Sequence, residues 1–435
     1  MNKLQRKITN INFIILTIVL LAYSLVRVLN TFLSENIKGD EASFLEIFKI
    51  FIEKGYYHTN VLGNSSLFNL TSFLFYKIGF NELTSLRMTS LFYGVLCLAF
   101  LWYFQKKIYS TLPKLYTKIA FITSVNVLIV MSFIFVGIND SMLAFFTVLL
   151  FILFFNLKKE NNNKNYMFLG IVLALMLLTR KMSVLFFLPV CLILLSHFML
   201  NKFSFIMKFK KIIIISLSLI LVIGLFNIPS LNEKGKISFH QKELRYEGVN
   251  WIQLHYLTAL SLDKGKIKYG KHHSPKEVKE YIELNGKKSL PKNYFESITF
   301  NYLITIKSSV REFIYLIKPM FRLLGIIFIL NILFFIIFLY ERKINIKKMM
   351  MKPIFVFSTI YICILCFIVT SYVEGRWLMN VAILLPFLFM ERIYYFLKNK
   401  KSKNNLEFIV LNLQITGLLI MNLPYIYKNI DIFFK

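Results

Sequence analysis

Apolar runs long enough to cross a lipid bilayer recur from one end of this chain to the other, and nothing else in the sequence restricts its fold as much. About 20 apolar residues in a helix span ~30 Å of hydrocarbon. Eleven stretches of the 435-residue sequence approach that length: 11–33, 83–104, 119–137, 142–157, 166–178, 182–200, 212–228, 320–340, 354–370, 378–397 and 408–426. With 57% hydrophobic residues and a mean hydropathy of +0.62, the chain carries more apolar surface than a water-soluble fold can bury. The expectation is an all-α polytopic membrane protein of about eleven transmembrane helices. The first run exceeds a signal-peptide core and lacks a small-x-small cleavage site, so it is expected to remain as the first helix.

A formal charge of +30 would suit a nucleic-acid binder if the basic residues formed one surface. They recur instead as short clusters, Lys106-Lys107, Lys158-Lys159, Lys210-Lys211 and Lys347-Lys348, each at the end of an apolar run. That is the pattern of cytoplasmic membrane loops, so membrane lipids are the expected surroundings and nucleic acid is not a partner. Connections 1–10, 106–118, 158–164, 201–211, 341–352 and 398–404 hold 23 Lys and Arg, whereas the short segments on the other side hold 9; the long stretch 229–311 is left out because long loops do not report orientation. The expected arrangement is a multi-pass protein of the cytoplasmic (inner) membrane with its N-terminus inside and its C-terminus outside.

All four cysteines, Cys97, Cys191, Cys363 and Cys366, lie inside apolar runs, which implies no disulfide framework. Cys363 and Cys366 form a C-x-x-C without a second pair or polar ligands, a spacing that suits helix packing better than metal or redox chemistry.

Two outer segments are longer than a connection needs. In 34–82, Phe44, Leu45, Phe48, Phe51 and Ile52 follow helical spacing against Glu46, Lys49 and Glu53, as in a helix lying in the interface plane. In 229–311, Ser274 as N-cap, Pro275 in the first turn, Glu277 closing a capping box and Gly286 as stop mark a short helix. The expected division is a transmembrane core over 1–228 that includes the first outer loop 34–82, an outer loop with short helices over 229–311, and C-terminal transmembrane helices over 312–435.

The candidate chemistry sits at the outer level. Asp40 and Glu41 follow the first span in Gly39-Asp40-Glu41-Ala42. A carboxylate there can take a proton from an incoming hydroxyl, or Asp40 can simply cap the helix that begins at Glu41. Asp140, in Asn139-Asp140-Ser141, fills almost the whole expected connection between the third and fourth spans and equally suits a turn and helix cap. Arg87, Arg180, Lys181 and Arg376 add cations at the same level. Each can be an interface anchor that snorkels to water; together they can grip a phosphate.

Several short motifs, in order and on one side of the membrane, carry a resemblance. Gly39-Asp40-Glu41-Ala42, Gly55-Tyr56-Tyr57, Phe75-Tyr76-Lys77-Ile78-Gly79 and Leu86-Arg87 are followed by Asn139-Asp140-Ser141, by Thr179-Arg180-Lys181 leading to Pro189, and by Gly375-Arg376-Trp377-Leu378 leading to Pro386. The chain resembles bacterial GT-C glycosyltransferases of the ArnT-like and protein-mannosyltransferase-like group, well over 8–200 and in outline beyond. The resemblance implies a GT-C fold, a polyprenyl-phosphate sugar donor, and an acidic residue of the first outer loop as general base, a position Asp40 matches with Glu41 beside it. It also implies Asp140 as a second acid and Arg87, Arg180, Lys181 and Arg376 as donor-phosphate ligands. Many relatives carry a proline-rich segment in the first loop where this chain reads Gly63-Asn64-Ser65-Ser66-Leu67. That departure leaves one donor contact unassigned, for which the nearby His58 can substitute.

The expected function is an inverting sugar transfer to an acceptor hydroxyl of a lipid, glycan or protein on the outer face. A divalent metal, Mg or Mn, remains open as a cofactor, and no His or Cys cluster demands one. A flippase or transporter of lipid-linked glycans would use charges spread through the membrane and internal repeats. A polysaccharide polymerase or ligase would show a large Arg- and His-rich outer loop, which 229–311 resembles only loosely.

Overall fold

A computed structural model of the chain describes residues 1–37, 39–62, 66–130, 133–201, 203–237, 249–340, 352–367, 373–398 and 403–430. Residues Gly63, Asn64 and Ser65 of the first loop, the Lys347-Lys348 cluster and the end of the ninth expected span lie outside them. The described residues form helices without a strand. In chain order these are α1 (Lys3–Leu33), α2 (Glu41–Val61), α3 (Ser66–Lys77), α4 (Glu82–Ile108), α5 (Lys114–Val130), α6 (Asp140–Lys159), α7 (Asn163–Thr179), α8 (Phe187–Leu200) and α9 (Phe205–Lys234). There follow α10 (Trp251–Asp263), α11 (Pro275–Asn285), α12 (Tyr294–Phe300), α13 (Tyr302–Leu324) and α14 (Ile326–Tyr340). The last four are α15 (Pro353–Phe367), α16 (Gly375–Ala382), α17 (Leu385–Lys398) and α18 (Lys403–Ile430).

Among the described residues six helices are long and apolar enough to cross a membrane, or seven when α16 and α17, bent by 53° at a short break, count as one span. The chain is an all-α polytopic membrane protein. Its layers follow from burial: the most apolar window of α6 is 83% buried, whereas those of α1 and α9 are 22% buried. α6 is therefore a central helix, apolar on every side because protein surrounds it. α1 and α9 turn exposed Leu and Ile side chains, such as Leu21, Leu25, Leu217 and Leu221, to the lipid. The capping box over Ser274 and Glu277, Pro275 in the first turn and Gly286 at the C-cap of α11 appear as the sequence implies. The interfacial run of the first loop is α2, with Phe48 and Phe51 buried and a kink at Gly55.

Two of the expected spans differ in shape. Within the run 119–137 the described residues are α-helix up to Val130, a 3₁₀ turn over Phe133–Phe135 and irregular backbone after it. Hydropathy cannot separate a crossing helix from a buried irregular segment, and Ile134 and Phe135 are both buried. The connection before Asp140 is consequently longer than Asn139-Asp140-Ser141. The run 320–340 is broken at Gly325, whose φ of 68° suits glycine. Gln414 fills the break: its Oε1 accepts the Ile327 N–H at 3.0 Å, and its Nε2 donates to the Leu324 carbonyl at 2.8 Å. A side chain thus satisfies backbone groups that the hydrocarbon cannot.

α7 and α9 meet at Gly170. A Cβ there would stand 2.3 Å from the Ile215 carbonyl oxygen and 2.9 Å from the Ser218 Cβ. Small residues permit this kind of approach between membrane helices. Gly170→Ala is expected to force the pair apart and cost about 1–3 kcal/mol. Thermal unfolding in detergent should show a clear fall in midpoint; an unchanged midpoint would mean the contact is looser than described.

Candidate active site

Three acidic residues at or beside helix starts face one arginine. Asp40 is the N-cap of α2, Asp140 the first residue of α6, and Glu374 the N-cap of α16. At α2 and α16 the N-cap side chain makes no capping hydrogen bond, and Asn139, N-cap of α6, makes none either. The carboxylates turn to guanidinium groups instead. Asp40 Oδ2 lies 2.6 Å from Arg376 Nη2, Glu374 pairs with Arg376 Nε, and Asp140 Oδ2 stands 3.8 Å from Arg376 Nη1. The other oxygen of Asp140 pairs with Arg180 Nη1. The positive end of each helix dipole favours an acid at these starts, and Arg180, at the C-cap of α7, lies where the dipole favours a cation. Asp40 thus occupies the N-cap position, but its side chain makes no capping hydrogen bond.

Exposure separates the acids. The Asp40 side chain is 54% exposed and that of Asp140 2%. Asp40 is the most open of the three, Glu374 is 25% exposed, and Asp140 is buried between two arginines.

Behind this cluster a second pair holds the backbone in place. Glu41, fully buried, receives Arg87 in a fork, with Nε to Oε1 at 2.9 Å and Nη2 to Oε2 at 3.0 Å. Arg87 also donates to the carbonyls of Thr31, Ser34 and Asn36. Its donors are thus committed to protein, joining the end of α1, the first loop and α4. Glu41 Oε1 further accepts the Gly137 N–H at 2.7 Å. A Cβ at Gly137 would lie 2.7 Å from the Leu86 Cβ, so only glycine brings this N–H so close. One residue on, Ile138 exchanges hydrogen bonds with Ser90 of α4, its N–H donating at 3.2 Å and its carbonyl accepting at 2.7 Å. Asn139 then donates to the Thr179 carbonyl, which brings the start of α6 to the end of α7 and so Asp140 to Arg180. A cavity of about 110 Å³ lies against the clamp, with Arg27, Asn30, Glu41, Arg87 and Phe135 in its lining.

Of the residues singled out in the sequence, Asp40, Asp140, Arg180 and Arg376 come together, and Glu41 with Arg87 forms the clamp beside them. Lys181 opens the 3₁₀ turn Lys181–Phe186 next to Arg180. His58 is exposed beyond the Gly55 kink. Roughly 20 Å of helix, counted from Glu41 to Lys54, separates it from the cluster, so it is not brought there. Sequence reasoning missed Glu374 and Gly137. Glu374 was visible as an acid two residues from Arg376 at the same outer level; Gly137 had no local signal. The carboxylates converge on a guanidinium rather than on a shared point, and among the described residues no group of three or more His, Cys, Asp or Glu is placed to hold a metal ion.

Residues 67–226 match the family model for dolichyl-phosphate-mannose-protein mannosyltransferase. The match spans 160 of the 435 residues and likens this part of the chain to GT-C-type membrane glycosyltransferases. No curated protein matches it. The matched segment includes Arg87, Asp140, Arg180 and Lys181, while Asp40, Glu41 and Arg376 lie outside it.

Removing one partner of a buried ion pair strands the other charge and typically costs about 3–5 kcal/mol. Glu41→Gln and Arg87→Met should each destabilise the protein on that scale, and the double variant by clearly less than their sum. Denaturation by SDS titration measures this; strictly additive costs would show that the two side chains do not act as a pair.

Proposed function

We propose that this protein is a glycosyltransferase that moves a sugar from a polyprenyl-phosphate-linked donor to an acceptor hydroxyl, with inversion, on the outer face of the cytoplasmic membrane. The observation that carries the reading is the exposed Asp40 sharing Arg376 with the buried Asp140. A single group thereby links an acid open to an acceptor with a basic patch suited to phosphate.

In this reading the acceptor oxygen attacks the anomeric carbon as the bond from that carbon to the phosphate oxygen breaks. Asp40 takes the hydroxyl proton as general base, and the phosphate leaves with the bonding electrons, its charge met by arginine. Arg376 Nη1, at 3.8 Å from Asp140, is beyond hydrogen-bond reach of that carboxylate and is the N–H group offered to a phosphate oxygen. Arg180 and Lys181 stand beside it. Asp140 orients the two arginines. Glu41 and Arg87 act as the clamp that presents Asp40, and His58 has no part. The matched family's description names a mannose donor and a protein acceptor, so polyprenyl-phosphate mannose is the first donor to test in a panel of sugars and acceptors.

Asp40→Asn keeps the side chain's size and removes the base. Transfer from a polyprenyl-phosphate donor in membranes should fall by about 10²–10⁴-fold with expression intact, and full activity in this variant would sink the assignment. Orientation has its own test. Cysteines placed at Ser43 and Lys276 should label from outside in intact cells, and one at Ser110 only after permeabilisation. The reverse pattern would put the site on the cytoplasmic side.

A further inference from the structure

Arg376 stands on a short arm that its own helix start does not secure. Glu374, the N-cap of α16, makes no capping hydrogen bond because its carboxylate pairs with Arg376. A helix start left without a side-chain cap frays unless other groups hold it. Two contacts from elsewhere do so. The Tyr361 hydroxyl of α15 donates to the Trp377 carbonyl at 3.1 Å, and Glu312 of α13 accepts the Val373 N–H at 3.0 Å.

Glu312 is fully buried. Its Oε2 also accepts from the Tyr269 hydroxyl at 2.7 Å, and its Oε1 lies 3.5 Å from Arg311 Nε. Tyr269 stacks on Tyr315 with ring centroids 3.8 Å apart, and Arg311 pairs with Asp263 at the end of α10 at 2.8 Å. Burial pushes the Glu312 carboxyl up from its ordinary range, and the Tyr269, Arg311 and Val373 donors draw it back. A carboxylate is costly to bury unless its oxygens are occupied. Here they are shared between the cap segment α10–α12 and the arm that carries Arg376, and no group of the reaction itself touches Glu312.

We infer that Glu312 is a positioning residue for sugar transfer: by holding the Val373 amide it fixes the 373–376 arm so that Arg376 reaches both Asp40 and Asp140, with Tyr269 tying the cap segment to the same carboxylate. This rests on the proposed reaction for its effect on rate and on geometry alone for its effect on the arm. Glu312→Gln weakens the acceptor that holds Val373. Tyr269→Phe is the gentler variant, because it removes one hydroxyl and leaves Val373 its partner.

The test has two arms, both on the full chain in nanodiscs. Hydrogen exchange read by mass spectrometry should show the peptide covering 373–382 exchanging at least fivefold faster in Glu312→Gln, while peptides of α6 keep wild-type rates. In sugar transfer, Glu312→Gln should lower kcat at least tenfold with donor KM within threefold, and Tyr269→Phe should lower kcat by less. Combining Glu312→Gln with Arg376→Lys should cost little more than Arg376→Lys alone, since both act through one group. Unchanged exchange over 373–382 overturns the inference, as does a fully additive double variant. Exchange across every helix at once would mark Glu312 as a general stability residue and also overturn it. If the exchange result holds but Asp40→Asn retains transfer, the proposed reaction fails and the anchoring of the arm stands.

Discussion

The cluster around Arg376 depends on one physical circumstance: a single guanidinium faces three carboxylates that stand at helix starts. Asp40, Asp140 and Glu374 begin three helices far apart in sequence, and each start presents positive dipole to its own acid. The acids are therefore tolerated close together near the membrane, where uncompensated charge is expensive. Arg376 and Arg180 supply the remaining compensation. The packing around them, from the Glu41–Arg87 fork to the Gly137 approach, serves to bring these starts to one place.

That arrangement divides labour between neighbours. Asp40 and Glu41 are adjacent in the chain, yet one is open and the other sealed. Successive residues of a helix point about 100° apart, so a site at a helix start can send one acid outward to meet a molecule and the next inward to hold the backbone. Arg87, with its donors spread over a carboxylate and three carbonyls, fits the inward role.

Much of this was legible in the sequence, for identifiable reasons. The membrane class follows from run length, and the α11 cap from the spacing of Ser274, Pro275, Glu277 and Gly286. The grouping of Asp40, Asp140, Arg180 and Arg376 at one level follows from counting spans. What could not be read there is direction and continuity. Nothing in the letters distinguishes Asp40 from Glu41 by exposure. The apolar run through Phe135 reads as one helix although Phe133–Phe135 form a 3₁₀ turn. The break at Gly325 depends on Gln414, which is 89 residues away. Glu312 looks like one charge on an amphipathic helix until its partners Tyr269 and Val373 are seen.

The order of the chain gives the hub a place in time. A membrane protein made from its N-terminus places α1, the first loop with α2, α6 and α7 first, carrying Asp40, Asp140 and Arg180. Arg376 emerges close to 200 residues after Arg180. Until then Asp140 has Arg180 as its partner, while Asp40 lacks the arginine that links it to them. A nascent or truncated chain that stops before α16 is an assembled scaffold without its central contact, and on the reading above it cannot act on lipid-linked sugar while synthesis is still under way.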